Sequence, residues 1–301
     1  MSHDKDLVYL SIYFFLSGQC DQTKGSMKLQ ERRALITGSG RGIGEQIALR
    51  LAQEGARVAL LARDRQQLRS TGEKIEKIGA EHLIVPADLS SEGQIREAVG
   101  GVVDRWGGID VLVNNAGMLG PVGPTQDLEY SAWMETLQVN LGGCYLCCAF
   151  TLPGMIERRK GKIINLSGGG AVNPRPNFGA YSASKAAVVR FTETLAAEVA
   201  EYGIDVNAIS PGAINTAMLR EAVDAGSMAG NEADELREIA QKGGQDPSRA
   251  ASLVVHLASS ATDGLSGRLI SAQWDDWENF DIQGVMAGNL YTMTRITCDS
   301  K

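Results

Sequence analysis

A glycine-rich stretch near the start of the chain constrains the fold more than any other feature of the sequence. Residues 37–44 read Thr-Gly-Ser-Gly-Arg-Gly-Ile-Gly and follow the apolar run 34–36, which is typical of a buried strand. After them, Ile43, Ile47 and Leu51 recur at helical spacing. A strand, a glycine-rich turn and a helix in this order open a dinucleotide-binding βαβ unit, because the glycines let the backbone approach a pyrophosphate at the helix N-terminus. The alternative is a flexible glycine turn, which the flanking strand and helix disfavour.

A second motif, residues 181–185 (Tyr-Ser-Ala-Ser-Lys), opens a segment in which apolar residues recur at helical spacing. Tyr181 and Lys185 stand one turn apart in such a helix and therefore share a face. The unperturbed pKa of a tyrosine phenol is about 10, which is too high for easy proton exchange at neutral pH. An ammonium group one turn away favours the phenolate, so we expect Lys185 to lower the pKa of Tyr181 and to prepare it for general acid–base catalysis.

The end of the second predicted strand bears on the choice of cofactor. That strand, 57–62, ends close to the position at which a dinucleotide site places an acidic residue on the ribose 2′-hydroxyl. Ala62 has no charge, whereas Arg63 and Arg41 are cationic and suit a 2′-phosphate. The sequence therefore favours NADP over NAD. In the alternative interpretation, Arg63 is a surface arginine that Asp64 neutralises.

Residues 28–270 resemble the short-chain dehydrogenase/reductase family in these motifs and in several others. Asp88 is similar to the position that contacts adenine in this family, and residues 114–117 (Asn-Asn-Ala-Gly) resemble its central motif. Pro211-Gly212 with Thr216 resembles the turn over the nicotinamide. The resemblance implies that the cofactor contacts Gly38, Ser39, Arg41, Gly42, Ile43, Gly44, Arg63, Asp88, Leu89, Asn115, Ala116, Gly117, Tyr181, Lys185, Pro211, Gly212, Ile214 and Thr216.

The resemblance also implies a reaction and a set of catalytic residues. The protein is expected to be an NAD(P)-dependent oxidoreductase that transfers a hydride between its cofactor and a carbonyl or secondary alcohol. Tyr181 is expected to exchange the proton with the substrate oxygen, and Lys185 to hold the nicotinamide ribose as well. Asn140 matches the helix asparagine whose backbone carbonyl holds a water of the proton relay.

The chain departs from the family at one catalytic position. A serine usually stands thirteen residues before the tyrosine, where it hydrogen-bonds the reacting oxygen, but this position is Gly168 here. The nearest serine is Ser167, one residue earlier. The glycines at 168–170 offer room for a one-residue insertion, so we predict that Ser167 fills the role. In the alternative, the site lacks that hydroxyl and loses one polarising donor.

The sequence does not name the substrate. The family builds its substrate lid in the region that corresponds to 211–245, which is polar and contains glycines. Arg175 and Asn177 are candidates for contact with a polar substrate, but a surface loop explains them equally well.

Strand-like segments alternate with helical ones, near residues 33–37, 57–62, 82–87, 110–114, 162–166, 204–209 and 268–272. This alternation predicts an α/β protein with a single doubly wound, Rossmann-type parallel sheet and helices on both faces. A hydrophobic fraction of 44% is ample for one core. The net charge of −7 argues against a nucleic-acid partner, which would require a basic face. Cysteines and histidines show no paired metal-ligand spacing, so we expect no metal site.

We divide the chain into three parts. Residues 1–26 are interpreted as a dispensable or disordered extension, whose apolar run is too short to span a bilayer. Residues 27–271 are predicted to form one NAD(P)-binding catalytic domain. Residues 272–301 are predicted to be an atypical tail that packs on it, with Trp274 and Trp277 as candidate anchors. We expect a cytoplasmic protein without a membrane partner.

Two predicted helices, 131–158 and 180–202, are apolar on more than one face. Such a helix needs a second partner besides its own sheet, and the family commonly pairs through these two helices. We therefore expect a homodimer or homotetramer. In the alternative, the sheet and the 272–301 tail cover both faces within one chain.

Three other functions stay open beside the reductase. A reductase of 3-oxoacyl thioesters on acyl carrier protein would need a basic docking patch, but residues 217–245 carry more acidic than basic side chains. A non-catalytic dinucleotide-binding sensor is disfavoured by the intact Tyr181, Lys185 and Asn140. A sugar-modifying epimerase or dehydratase would need a longer substrate domain. We therefore expect a small-molecule carbonyl or alcohol substrate.

Overall fold

Seven strands form one parallel sheet, which confirms the predicted α/β class. The computed structural model describes residues 27–294, so the extension at 1–26 lies outside the described residues. The strands are β1 Arg33–Thr37, β2 Arg57–Ala62, β3 His82–Pro86, β4 Val111–Asn114, β5 Gly161–Leu166, β6 Ile204–Ser210 and β7 Leu269–Ser271. Each begins and ends within one residue of its predicted bounds, because short apolar runs bounded by turn residues are a local signal.

The strand order β3-β2-β1-β4-β5-β6-β7 places a topological switch point between β1 and β4. In an open parallel sheet, ligands bind in the crevice outside the carboxyl ends of the strands at such a point. The glycine-rich turn 37–44 follows β1, and the motif 114–117 follows β4. Both predicted cofactor motifs therefore lie at this crevice.

Helices connect the strands on both sides of the sheet. Within the described residues they are α1 Gly42–Gln53, α2 Arg65–Ile78, α3 Glu92–Trp106, α4 Tyr130–Leu137, α5 Gly143–Arg158, α6 Gly179–Val199, α7 Ala217–Asp224, α8 Ala233–Gln241, α9 Pro247–Ala258 and α10 Ile282–Ala287. The predicted helical segment 131–158 is confirmed as a continuous helical run, in which a π-helical turn, Gln138–Gly142, separates α4 from α5. The predicted helix 180–202 is α-helical to Val199 and ends in a 3-10 turn.

The two faces of the sheet have separate cores. On one face α1 and α9 pack together on the strands, with Leu51 and Leu253 fully buried. On the other face α3, α5 and α6 cover the sheet, and Cys147 of α5 is fully buried there. Neighbouring strand residues supply opposite cores, since Ile36 joins the first and Leu35 the second.

The part of the tail that the structure describes, residues 272–294, lies against the sheet domain. Trp277 is buried in the first core, whereas Trp274 is 81% exposed, so one of the two tryptophans packs as an anchor. Arg268 reaches from the start of β7 to the tail and donates to the carbonyl oxygen of Val285 at 3.1 Å.

The helical run Tyr130–Arg158 has the length and mean hydropathy (1.4) of a membrane-spanning helix. Its side chains nevertheless include Cys147 and Met155, which pack in the core on the sheet. Core helices pass the same length and hydropathy test, so this run is weak support for a membrane span.

Candidate active site

The glycine-rich turn between β1 and α1 is packed too tightly for side chains at two positions. A Cβ atom on Gly44 would fall inside contact distance of the Gly38 carbonyl oxygen and of Asn115 Nδ2. Gly38 has a φ of +67°, and a Cβ there would lie 2.8 Å from Asn115 Nδ2. Only glycine permits this close approach and this backbone conformation, which are the properties predicted for a phosphate-binding turn.

Thr37 and Asn115 tie the turn to the end of β4. The Thr37 hydroxyl accepts hydrogen bonds from the backbone amides of Asn115 and Ala116, each at 3.0 Å. Asn115 Nδ2 donates to the Thr37 carbonyl oxygen at 2.8 Å. These bonds fix the turn across the switch point. Sequence reasoning missed Thr37, and its hydroxyl at the end of β1 was the signal that could have found it.

The start of α1 has hydrogen-bond donors that fit a pyrophosphate. Arg41 occupies the N-cap position, and no side chain caps the helix. Ser39 is fully buried, and its hydroxyl has no hydrogen-bond partner within residues 27–294. Uncapped amides at a helix N-terminus bind anions, so these residues fit a dinucleotide cofactor.

Arg63 and Asp88 lie at the adenosine end of the predicted site, after β2 and β3. Asp64 caps α2 by accepting a hydrogen bond from the Gln66 amide at 2.9 Å and is not paired with Arg63. Within the described residues Arg63 makes no ion pair. The amide and hydroxyl of Ser90 hold the Asp88 carboxylate and lower its pKa, and the nearby charge of Arg63 lowers that pKa further.

Three other predicted cofactor residues lie along the same edge without polar side-chain contacts among the described residues. Ile43 and Leu89 pack on the two cores behind the crevice, and Arg41 is exposed at the start of α1.

Tyr181 and Lys185 open α6, and both are buried. Lys185 Nζ donates to the Leu166 carbonyl oxygen at 2.8 Å and lies 5.8 Å from the centroid of the Tyr181 ring. The expected sign of the shift at the phenol is wrong in this structure: burial raises the pKa of Tyr181, and the charge that opposes the rise is that of Arg175. Burial also lowers the pKa of Lys185 to about 8. The phenol therefore keeps its proton at neutral pH.

The π-helical turn Gln138–Gly142 carries Asn140 to the same place. Asn140 Oδ1 accepts from the Met118 amide at 2.8 Å, and its Nδ2 donates to Ser184 Oγ at 2.9 Å. Ser184 Oγ donates in turn to the Tyr181 carbonyl oxygen at 2.7 Å. Turns of this kind are frequent at functional sites. Sequence reasoning missed Ser184, although it lies within the motif that contains Tyr181.

Gly117 marks the point at which these groups converge. A Cβ atom there would lie 3.1 Å from Asn140 Oδ1 and 3.3 Å from Lys185 Nζ. The end of β4, the π-helical turn and α6 therefore meet at one place on the carboxyl edge of the sheet.

Gly168, rather than Ser167, lies against the phenol. A Cβ atom on Gly168 would fall inside contact distance of Tyr181 Oη. Ser167 continues the β5–β6 pairing through its amide, which donates to the Ile209 carbonyl oxygen at 2.8 Å. Its hydroxyl is fully buried and has no partner among the described residues. No contact in the described residues ties the Ser167 hydroxyl to the reacting oxygen, so its role there stays a prediction beside the alternative, a site without that hydroxyl.

The turn after β6 reaches the glycine-rich turn. Thr216 caps α7, and its methyl carbon would lie 3.6 Å from a Cβ atom on Gly42. Gly212 has a φ of +94°, and Pro211 and Ile214 beside it are buried. The residues predicted over the nicotinamide thus adjoin those predicted at the pyrophosphate.

The α7–α8 region covers Tyr181. The phenol ring packs in one cluster with Phe178 and with Leu219 and Leu236 of these helices. We call residues 211–245 the lid, as the sequence resemblance does. Tyr181 is only 7% exposed beneath the lid.

Metal-ligating side chains are not gathered in the described residues. Between residues 27 and 294 no three or more His, Cys, Asp or Glu side chains are placed to hold a metal ion. Cys144, Cys147 and Cys148 are buried, and burial raises the pKa of the Cys147 thiol.

Known proteins are similar to this chain in sequence and in fold. The family model for short chain dehydrogenases matches residues 32–226. A 3-oxoacyl-[acyl-carrier-protein] reductase of Staphylococcus epidermidis is 33% identical over 246 residues, which cover 79% of this chain and 96% of that protein. The structure of NAD+-bound xylitol dehydrogenase matches with a TM-score of 0.76 and 30% identity, over 81% of this chain and 98% of that one. A gluconate 5-dehydrogenase from Burkholderia cenocepacia in complex with NADP and tartrate matches with a TM-score of 0.73 and 32% identity, over 82% and 95%.

These relatives are dehydrogenases and reductases, and the two solved structures hold different nicotinamide cofactors. The matches span the crevice, the glycine-rich turn and the Tyr181 motif. The chain belongs to the short-chain dehydrogenase family and is an NAD(P)-dependent oxidoreductase that acts on alcohol and carbonyl groups.

Proposed function

We propose that this protein is an NADPH-dependent reductase of small carbonyl compounds, with Tyr181 as the proton donor. The observation that carries the proposal is the convergence of Tyr181, Lys185 and Asn140 beside Gly117. The phenol, whose pKa burial raises, is protonated at neutral pH, as a proton donor in the reducing direction must be. Oxidation of a secondary alcohol uses the same groups in reverse.

The cofactor supplies a hydride when it is bound. Gly38, Gly44 and the uncapped start of α1 are the proposed pyrophosphate site, and Arg63 is the proposed partner of the 2′-phosphate. Lys185 is proposed to hold the nicotinamide ribose, beneath the turn 211–216.

The proton path runs through three residues of this chain. Tyr181 donates its hydroxyl proton to the substrate oxygen. Lys185 is largely cationic at neutral pH, since its pKa is about 8, and it stabilises the phenolate that remains. The backbone carbonyl of Asn140 is proposed to hold the water through which Tyr181 regains its proton. Ser184 positions both Asn140 and Tyr181 by its two hydrogen bonds.

Oxidation of NADPH in the presence of a panel of aldehydes, ketones and oxo acids tests this function. We expect turnover with at least one class, at a rate well above that without substrate. Binding of NADPH, measured by its fluorescence, with no turnover on the whole panel would instead indicate a dinucleotide sensor.

A reductase of carrier-bound 3-oxoacyl thioesters remains the second candidate, because one relative at 33% identity has that activity in its name. The lid offers little support for it. Arg237 pairs with Asp234, and Lys242 pairs with Glu238, so these two lid cations are already neutralised.

We expect Arg63→Ala to weaken NADPH binding about tenfold or more, because hydrogen bonds to charged groups contribute about 1.5–3 kcal/mol. NADH has no 2′-phosphate, so its dissociation constant should change less than about twofold, well under the loss of one such bond. Titration of cofactor fluorescence measures both. Arg69→Ala, an exposed arginine of α2, is the matched control and should affect neither cofactor. Equal weakening of both cofactors by Arg63→Ala, or a wild type that prefers NADH, would overturn the NADP assignment.

We expect Ser167→Ala to lower kcat by less than about threefold, because the neighbouring Gly168 is the residue whose Cβ position meets Tyr181 Oη. Loss of a hydroxyl that polarises the reacting oxygen costs about 10²–10³-fold instead. Ser184→Ala is the matched comparison and should lower kcat about tenfold or more, since misplaced catalytic groups are costly. A loss near 10²-fold in Ser167→Ala would restore the serine role that the sequence predicted.

We propose that the protein is a homodimer or homotetramer that pairs through α5 and α6. Tyr145 of α5 is 53% exposed and contacts Phe191 of α6 edge to face, with ring centroids 6.1 Å apart. Exposed aromatic side chains of this kind are stabilised when a second protein surface buries them. Light scattering should give two or four times the 32.1 kDa of one chain. A mass near 32.1 kDa would show a monomer and contradict the proposal.

A cytoplasmic location also stays a proposal. It is supported by the packing of the apolar run Tyr130–Arg158 on the sheet of the domain. Fractionation of cells that express the chain would test it.

A further inference from the structure

Arg175 is held rigidly in the wall of the candidate site. It lies between Pro174 and Pro176 in the segment that joins β5 to α6. Its guanidinium stacks on the ring of Phe178, with Cζ 3.9 Å from the ring centroid, and Phe178 is fully buried. Arginine on an aromatic face is fixed in plane as well as in position.

The guanidinium is linked to the phenol through Phe178, which packs in one cluster with Tyr181, and its hydrogen-bond donors are only partly used. Its positive charge is the one that opposes the raised pKa of Tyr181, so the two groups share an environment. Nε donates to Glu232 Oε2 at 2.6 Å. Nη1 and Nη2 make no hydrogen bond with any residue between 27 and 294. A guanidinium has five N–H donors, so most of those on Arg175 remain available.

Glu232 shows that a carboxylate fits against Arg175. The side chains of this pair are 18% and 27% exposed, so both charges are largely withdrawn from water. Arginine recognises carboxylates by paired, charge-assisted hydrogen bonds, which are among the strongest in proteins.

Glu232 belongs to the lid, whose side chains pack over Tyr181. It ends a 3-10 segment, Gly226–Glu232, which is interrupted at Gly230 by a non-helical backbone (φ 63°, ψ −134°). This segment joins α7 to α8, whose side chains cover Tyr181. If this segment moves when a substrate binds, Glu232 leaves Arg175. A partly buried cation is then left without its counter-charge, which is costly unless another anion replaces it.

We propose that the substrate carries a carboxylate and that Arg175 binds it in exchange for Glu232. The substrate class is thus an oxo acid, whose carbonyl reaches Tyr181 while its carboxylate occupies the Glu232 position. This inference rests on the proposed reductase activity and names the substrate class of that site.

Matched pairs of substrates test the exchange. The panel contains 2-oxo and 3-oxo acids together with their uncharged methyl esters. Arg175→Gln should lower kcat/KM for the accepted acids by about 10–100-fold, the effect of a lost charge-assisted contact, and for the esters by less than about threefold. Glu232→Gln keeps Arg175 and removes its competitor, so it should lower KM for the acids severalfold. Arg237→Gln, which removes an exposed lid arginine, should leave the acid-to-ester ratio unchanged.

The outcomes separate this inference from the proposed function. If Arg175→Gln lowers kcat/KM equally for acids and esters, the Arg175–Glu232 ion pair only holds the lid in place, and the inference is overturned. A wild type that prefers the esters would also overturn the inference. Both results leave the reductase intact. Absence of turnover on every carbonyl compound would overturn the reductase itself. In that case, malonate and glutarate should still raise the Tm of the wild type and not that of Arg175→Gln. Equal shifts of Tm in the wild type and in Arg175→Gln would overturn the carboxylate site as well.

Discussion

Tyr181→Phe should lower kcat for carbonyl reduction by about 10²–10⁴-fold, the usual contribution of a positioned general acid. The variant loses only the hydroxyl that donates the proton. The ring itself should stay in place, because it packs with Phe178 and Leu219 under the lid. We therefore expect the dissociation constant for NADPH to change less than about threefold and the Tm to remain close to that of the wild type.

Tyr130→Phe is the matched control for this substitution. It removes the same hydroxyl from a side chain that is 75% exposed at the start of α4, so activity should be unchanged. A Tyr181→Phe variant that keeps more than about a tenth of the wild-type rate would identify another group as the proton donor. Parallel losses of NADPH binding and Tm would show instead that Tyr181 acts through the structure.

The parts of the fold that were predictable from the sequence depend on local signals. Each strand is a short apolar run bounded by turn residues, and β1 and β4 end in motifs with a mechanism of their own. The glycines at 38 and 44 were predictable because close backbone approach excludes every larger residue there. Such local signals do not depend on which residues pack against the segment.

The electrostatics of Tyr181 were not predictable in the same way. The spacing of Tyr181 and Lys185 indicates correctly that both residues lie at the start of one helix, and it suggests that the pKa of Tyr181 falls. The structure reverses that sign because the phenol is buried, in a cluster that includes lid residues, and only the charge of Arg175 opposes the rise. Burial by a distant segment is a tertiary effect, and no residue spacing reports it.

The serine shows a second limit. A one-residue offset between Ser167 and the family position is visible in the sequence, but its consequence depends on which residue faces the phenol. The continued β5–β6 pairing at Ser167 fixes the register, so Gly168 takes that place. The π-helical turn Gln138–Gly142 was equally hidden, because its residues fit an uninterrupted helical pattern.

Gly44→Ala should weaken NADPH binding by about 10²-fold or more and lower the free energy of unfolding by about 1–3 kcal/mol, the usual cost of overpacking. The added methyl group would meet the Gly38 carbonyl oxygen and Asn115 Nδ2. Asn115 Nδ2 also donates to the carbonyl oxygen of Thr37, so relief of the clash disturbs the bond that fixes the turn. Alanine favours a helix over glycine by about 1 kcal/mol, which is too little to offset a clash with backbone.

Gly100→Ala in the interior of α3 isolates the helix effect from the clash. A Cβ atom on Gly100 has no neighbour within 4 Å, so this variant should gain about 0.5–1 kcal/mol in unfolding free energy and bind NADPH as the wild type does. Urea denaturation and cofactor fluorescence measure both quantities for the two variants. We expect Gly44→Ala to be less stable and Gly100→Ala to be more stable than the wild type. If only Gly44→Ala also binds NADPH more weakly, the pyrophosphate lies on the turn 37–44. Wild-type NADPH affinity in Gly44→Ala would place the pyrophosphate elsewhere and remove the basis of the cofactor site.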